Sequence, residues 1–144
     1  MMELIALITS IISLVFSIVI YFYGILRQKK QDTINAFNII QNQVFDEMTK
    51  HTKKEIAAIA KSPRSTEYKN MSILMARCEH FAVAVNAKIY DVRIVKRLAG
   101  RYFIALYEKF LPIIEEKRRI YPSDRHYDEF EKMINKLKKY YKEN

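Results

Sequence analysis

An uncharged apolar stretch opens the hydropathy pattern of the chain. It runs from Leu4 to Leu26 without an Asp, Glu, Lys or Arg. As an α-helix rising 1.5 Å per residue it would be about 34 Å long, enough to cross a hydrocarbon core of about 30 Å. The pattern therefore predicts one transmembrane helix within residues 1–26. No Lys or Arg precedes the stretch, unlike in a signal peptide, so we expect it to stay attached to the chain.

A narrow stripe of small residues follows one face of this helix. Steps of three, four and seven residues connect its members, which are Ala6, Ser10, Ser13, Ser17 and Gly24. In lipid, helices associate through close backbone approach at small residues and through hydrogen bonds between side chains. The stripe is therefore predicted either to pack against other copies of the helix or to line a pore, with Glu3 and Arg27 at its ends. A third interpretation is a lone anchor whose serines bond to carbonyls of their own helix.

Beyond residue 27, apolar positions keep the three- and four-residue spacing of amphipathic helices. The turn sequences SPRST at 62–66 and YPSDR at 121–125 interrupt this pattern. We predict an all-α fold in which the transmembrane helix continues into a cytoplasmic helical bundle over residues 27–144. The helices of the bundle are expected at residues 27–61, 67–88, 91–119 and 124–142.

Capping residues and one proline refine these expectations. Thr66, Asp91, and either Ser123 or Asp124 are expected to be N-caps, and Pro112 is expected to kink the third helix of the bundle. The predicted core faces of the four helices consist of Ile34, Phe37, Ile40, Val44, Phe45 and Met48; Tyr68, Met71, Leu74, Met75, Cys78, Phe81, Ala82 and Val85; Val95, Leu98, Tyr102, Leu106, Phe110 and Ile113; and Tyr127, Phe130, Met133, Ile134, Leu137 and Tyr141.

The charge distribution predicts the orientation of the chain. The 144 residues carry 25 Lys and Arg against 16 Asp and Glu, a formal charge of +9. Arg27, Lys29 and Lys30 follow the apolar stretch directly, and the positive-inside rule places such residues on the cytoplasmic side. We therefore expect a single-pass protein of the cytoplasmic membrane with its N-terminus outside. These three residues are expected to lie at the surface of the lipid bilayer.

The remaining positive charge indicates an anionic ligand. Arg93, Lys96, Arg97 and Arg101 share one face of the third bundle helix, and Gly100 lies among them. A glycine flanked by cationic side chains exposes backbone that a phosphate can approach. The pattern predicts an anion-binding site at the four basic residues, for a nucleotide or single-stranded DNA. A solvated helix face with a packing glycine is the alternative, since a glycine within a helix costs about 1 kcal/mol relative to alanine.

Enzyme chemistry has little support in the residues. The three histidines lack metal-ligand spacing, and the chain has no glycine-rich phosphate loop. Cys78 lies on an apolar helical stripe and is interpreted as a core residue. We predict no catalytic residue, no metal site and no cofactor.

Part of the bundle resembles a family of small bacterial proteins with an uncharacterised domain. The resemblance covers ARCEHFAVAVNAKIYDVRIVKRLAGRYFIALYEKFLPIIEEKRR at 76–119 and YDEFEKM at 127–133. The positions that match the family pattern are Arg77, Glu79, Ala82, Asp91 and Arg119. The resemblance implies one N-terminal membrane helix followed by a helical cytoplasmic domain. In layout and charge, the chain also resembles membrane effectors of bacterial anti-phage defence, such as Hailong-type channel effectors, which implies control by a nucleic-acid ligand.

Two functions follow as hypotheses. In the first, the protein is an oligomeric membrane effector whose pore or membrane lesion is controlled by an anionic ligand bound to the bundle. In the second, it is a membrane-tethered interaction or scaffold protein without channel activity. Its expected partners are the lipid bilayer, other copies of itself and a nucleotide or single-stranded DNA ligand.

Overall fold

Five α-helices build the part of the chain that the computed structural model describes, residues 1–142, and these residues form no strand. Helix α1 covers Met2–Thr49. It is followed by α2 at Lys53–Ala60, α3 at Thr66–Asn86, α4 at Val92–Ile120 and α5 at Asp128–Lys142. The predicted all-α fold is confirmed.

Helix α1 belongs to the bundle only in its C-terminal half. Residues 1–28 are all exposed, whereas Thr33, Phe37 and Ile40 are buried against other helices. By length and composition, α1 is apolar and long enough to cross a membrane. The helix thus joins an exposed apolar segment to the core without a break between them.

A turn of π-helix interrupts α1 at Gln41–Phe45. Such turns contain one residue more than the α-helical turn they replace, and they occur frequently at functional sites. Here the wider turn places Val44 and Phe45 side by side in the core.

Residues 27–61 do not form the single helix that the apolar pattern predicted. The chain leaves helical geometry at Thr52, whose hydroxyl accepts a hydrogen bond from the backbone N–H of Glu55. The Glu55 carboxylate accepts one in return from the Thr52 N–H at 2.7 Å. This capping box starts a separate helix, α2, and explains why the chain turns here without Gly or Pro.

Phe103 lies at the centre of the core and connects four helices. Its ring contacts those of Phe37 and Phe45 on α1, Phe81 on α3 and Phe130 on α5, with centroids 5.1–6.3 Å apart. The side chain is fully buried. All the apolar residues predicted for the core face of α3 are likewise buried, and so are Phe37, Val44, Phe45 and Met48 of α1.

Helix α4 contains one irregular residue, and its core face includes Phe103, which the prediction omitted although it lies three residues before Leu106 and seven before Phe110. Ala99 has the non-helical angles φ −156° and ψ 21°, and no other residue of Val92–Ile120 departs from helical angles in this way. Pro112 lies within the continuous helix, as predicted, and a kink at that residue stays a prediction. The change at Ala99 rotates the two halves of α4 relative to each other, which leaves Leu98 46% exposed instead of buried.

The structure confirms one predicted N-cap and replaces two. Asp91 accepts a hydrogen bond from the Arg93 backbone N–H, as expected. Ser65, not Thr66, caps α3 through the Tyr68 N–H. Ser123 and Asp124 lie in the turn before α5, and the Glu79 carboxylate of α3 accepts from the backbone N–H groups at the start of α5 instead.

Candidate ligand-binding groove and membrane helix

The basic face of α4 is partly occupied by side chains of the same chain. Arg93 forms an ion pair with Asp91 at 3.0 Å. The Lys96 ammonium lies 3.7 Å from the centre of the Tyr140 ring, and the Arg101 guanidinium lies 5.4 Å from that of Tyr141. Such cation–π contacts hold the basic side chains against α5. Anion binding by Arg93, Lys96, Arg97 and Arg101 stays a prediction.

Gly100 is not the open stretch of backbone that the sequence suggested. Tyr141 covers it, and a Cβ atom added at Gly100 would lie 2.5 Å from the Tyr141 hydroxyl. That hydroxyl donates a hydrogen bond to the Lys96 carbonyl at 3.0 Å. Gly100 therefore allows α5 to pack closely on α4, which is the alternative interpretation of this residue.

The small-residue stripe of α1 faces open space throughout. Ala6, Ser10, Ser13, Ser17 and Gly24 are exposed, and a Cβ atom at Gly24 would have no neighbour within 4 Å. The Ser17 hydroxyl donates to the Ser13 carbonyl at 2.9 Å, a bond within the helix itself. The stripe is thus available to another helix or to water.

One end of the bundle lies next to the exposed apolar segment. The Lys29 ammonium, just beyond that segment, donates to the carbonyl of Lys88 at the end of α3. Four residues further along, the fully buried Thr33 hydroxyl accepts from the Asp91 backbone N–H at 2.9 Å and donates to the Lys29 carbonyl. These bonds join α1 to the connection between α3 and α4.

A large open groove lies at the opposite end of α3. The turn before α3, the first half of α3, the end of α4 and the turn before α5 enclose a volume of about 1230 Å³. Cationic side chains surround it, namely Arg64, Lys69, Lys117 and Arg125, together with His80 and His126. The carboxylate among its lining residues belongs to Glu79, which is bonded to the start of α5.

Metal binding has no comparable support. Among residues 1–142, no three His, Cys, Asp or Glu side chains lie close enough to hold a metal ion. Burial raises the pKa of the Cys78 thiol to about 12, so this cysteine stays a protonated core residue at neutral pH.

Most of this arrangement, from the apolar segment into the last helix, matches one known domain. A family model for DUF4760, a domain of unknown function, matches residues 4–137. The chain belongs to the DUF4760 family. No curated protein and no solved structure matches it. The DUF4760 match includes most of the apolar segment of α1, so that segment and the helical bundle form one family unit.

Sequence reasoning missed the groove of this DUF4760 chain although both of its turns were recognised. SPRST contributes Arg64, and YPSDR contributes Tyr121 and Arg125. Each turn was interpreted only as the end of a helix. The packing of α5 against α3 brings the two turns together. The residue pattern within each turn does not predict this contact between distant parts of the chain.

Proposed function

We propose that this DUF4760 chain is a single-pass membrane protein of the cytoplasmic membrane, with its N-terminus outside, that self-associates through the stripe of α1. Its bundle binds an anionic ligand, which changes the packing of the membrane helices and thereby controls a pore or lesion. The resemblance to anti-phage effectors suggests a role in defence. The apolar length of α1 and the basic residues beside it support the orientation.

The continuity of α1 carries the proposal. The helix that offers the exposed stripe also supplies Phe37, Val44 and Phe45 to the core. A change of packing in the bundle therefore acts on the membrane segment through a rigid helix. A ligand shifts this equilibrium only by as much as it binds one packing more tightly than the other.

The exposed hydroxyls support self-association in lipid. Ser10, Ser13 and Ser17 lie on one face, and a straight helix drifts only about 20° per heptad, so they stay together along the span. Around a central axis the same face would present these hydroxyls to water.

A bilayer current assay with the purified full-length chain tests the pore. Ser10, Ser13 and Ser17 are changed together to alanine in one variant and to leucine in another. The control changes Ile11, Val15 and Ile18 of the opposite face to leucine. Currents are recorded without ligand, with ATP and with a short single-stranded DNA.

If the stripe lines a pore, the alanine variant should conduct less than the wild type and the leucine variant should not conduct. The control variant should conduct like the wild type. The pore hypothesis would be contradicted if all variants conducted equally. It would also be contradicted if the wild-type chain conducted no current under any condition. If the wild-type chain conducts no current but its serine-to-alanine variant still forms oligomers, the rival function, a membrane-tethered scaffold, is favoured.

A further inference from the structure

Three buried polar atoms without a hydrogen-bond partner meet at the groove. Among residues 1–142, these are the Tyr68 hydroxyl, the Ser72 hydroxyl and Nε2 of His126. All three residues line the groove. Nε2 of His126 lies 3.4 Å from an Asp124 carboxylate oxygen, without hydrogen-bond geometry. A buried polar group without a partner is unfavourable, so a polar ligand that bonds to these atoms stabilises the folded protein.

Tyr68 is the most informative of the three. Only 3% of the residue is exposed, Tyr68 lines the groove, and its buried hydroxyl lies beside the Ser72 side chain one turn further along α3. A phenol is protonated at neutral pH, and burial followed by the nearby Glu116 carboxylate raises the pKa of Tyr68 further, so its hydroxyl keeps its proton to donate. A donor held at the floor of a groove is suited to an anionic oxygen.

The charges around the groove favour an anion. Lys69 and Arg125 are exposed on opposite walls, and Lys117 lies on a third. The N-terminus of α3, a helix of 21 residues capped by Ser65, adds its positive dipole end. Cations, a helix N-terminus and an unpartnered hydroxyl therefore converge on one volume.

The remaining surface of the groove is apolar and partly aromatic. Tyr121 is 47% exposed and Ile73 is 55% exposed, and both line the groove. The Lys117 ammonium lies 4.9 Å from the centre of the Tyr121 ring and the His126 ring packs edge-on at 5.7 Å, while the exposed part of Tyr121 offers an aromatic surface for stacking. Inorganic phosphate would leave this surface uncovered.

We infer that the groove binds a nucleotide, with its phosphates at Lys69, Arg125 and the Tyr68 hydroxyl and its base against Tyr121. The size of the groove, about 1230 Å³, exceeds what a single phosphate needs. The regulatory role of this ligand rests on the proposed function, whereas its binding is a separate property of the bundle.

The position of the groove argues against a lipid headgroup as the phosphate source. Helix α3 has its C-terminal end near Lys29, beside the apolar segment, and its N-terminal end at the groove. Its 21 residues place the two ends about 30 Å apart. A ligand in the groove of the membrane-anchored chain is therefore expected to come from solution.

Equilibrium dialysis of radiolabelled ATP against the full-length chain in nonionic detergent tests the inference. The groove variant carries Lys69→Glu and Arg125→Glu. The control variant carries Lys53→Glu and Lys54→Glu on α2, which changes the net charge equally at two exposed residues outside the groove and outside the sequence-predicted site. We expect the groove variant to bind ATP at least about tenfold more weakly and the control to stay within about twofold.

Tyr68→Phe gives a second readout that does not depend on charge. It removes only the Tyr68 hydroxyl, so the unfolding temperature should change little while ATP binding weakens about tenfold. Retained ATP binding in this variant would overturn the assignment of Tyr68. Unlabelled adenosine, tripolyphosphate and vesicles containing phosphatidylserine serve as competitors.

Several outcomes would overturn the inference. These are no binding of ATP by the wild-type chain, equal losses in the groove and control variants, or loss in the control alone. Competition by tripolyphosphate as strong as that by ATP would show that no base is recognised. Competition by the vesicles would identify a lipid as the ligand. ATP binding at the groove by a protein that is silent in bilayers would refute the pore and leave the inference standing.

Discussion

At the scale of single residues, the contact between Gly100 and Tyr141 sets the distance between α4 and α5. In the wild-type chain, alanine at position 100 displaces the Tyr141 hydroxyl, which lies 2.5 Å from the new Cβ atom, and breaks its bond to the Lys96 carbonyl. With Tyr141→Phe in place, that atom and that bond are already absent. Gly100→Ala should therefore be more favourable in the Tyr141→Phe background by about 1 kcal/mol, because the closest contact is then absent and only ring carbons at 3.2 and 3.3 Å remain near the new Cβ atom.

Urea unfolding of the wild type, the two single variants and the double variant measures this coupling. Additive free energies of unfolding would show that Tyr141 does not pack on Gly100. Tyr140→Phe, at the neighbouring position, is the matched control and should show no coupling with Gly100→Ala.

Asp91 gives the protein a predictable response to acid. Hydrogen bonds from Arg93 hold the pKa of its carboxyl below the ordinary value of 3.8. Because the folded-state pKa is lower than the unfolded one, the carboxylate's contribution is fully present above about pH 4 and is lost as the pH falls through the folded value. The unfolding temperature should fall in this range, and less steeply for Asp91→Asn than for the wild type.

Asparagine is also a good N-cap, so Asp91→Asn separates the loss of charge from the loss of the cap. Asp91→Ala removes both and should be about 1 kcal/mol less stable than Asp91→Asn at every pH. Thermal unfolding of the three proteins between pH 3 and pH 7 provides the comparison. Parallel pH profiles for the wild type and Asp91→Asn would contradict a lowered pKa at this residue.

At the scale of helices, the apolar pattern predicted which faces are buried but not where regular geometry fails. Every residue expected on the core face of α3 is buried, because that helix is regular from end to end. On α4 the same reasoning placed Leu98 in the core and overlooked Phe103, which lies three residues before Leu106 on the same face, and it gave no sign of the non-helical angles at Ala99. The cap of α5 by Glu79 comes from a different helix, so no pattern near Asp128 could show it.

The π-helical turn of α1 lends itself to a deletion experiment. Asn42 is exposed within Gln41–Phe45, and removing it should convert the wide turn into an α-helical one without changing the register on either side. We expect unchanged helix content and an unfolding temperature within about 5 °C of the wild type. Circular dichroism measures both quantities.

Deletion of Val83, which is exposed within the regular helix α3, is the control for this prediction. It rotates the following residues by about 100°, takes Val85 out of the core and should unfold the bundle. If deleting Asn42 lowered the unfolding temperature as much as deleting Val83, the extra residue of the π-helical turn would be required for the packing of Phe45 in the core.

At the scale of the whole molecule, the exposed apolar segment and the groove lie at opposite ends of α3. The bonds of Lys29 and Thr33 join α1 to the bundle beside the apolar segment. The groove lies at the other end of α3, and α1 extends toward that end as far as Met48, whose carbonyl accepts from Lys109 of α4. A ligand that moves the end of α4 therefore has a packed route to α1 through Lys109 and Met48.

This division predicts that the bundle folds without the apolar segment. Residues 1–28 are all exposed and supply nothing to the core, so a chain that begins at Arg27 should keep its stability. We expect it to be soluble without detergent, to unfold within about 5 °C of the full-length chain and to be monomeric, because the stripe is removed. Calorimetry and light scattering test these points against the full-length chain in detergent. A lower unfolding temperature would show that the segment stabilises the bundle, and an oligomer would reveal a second surface for self-association.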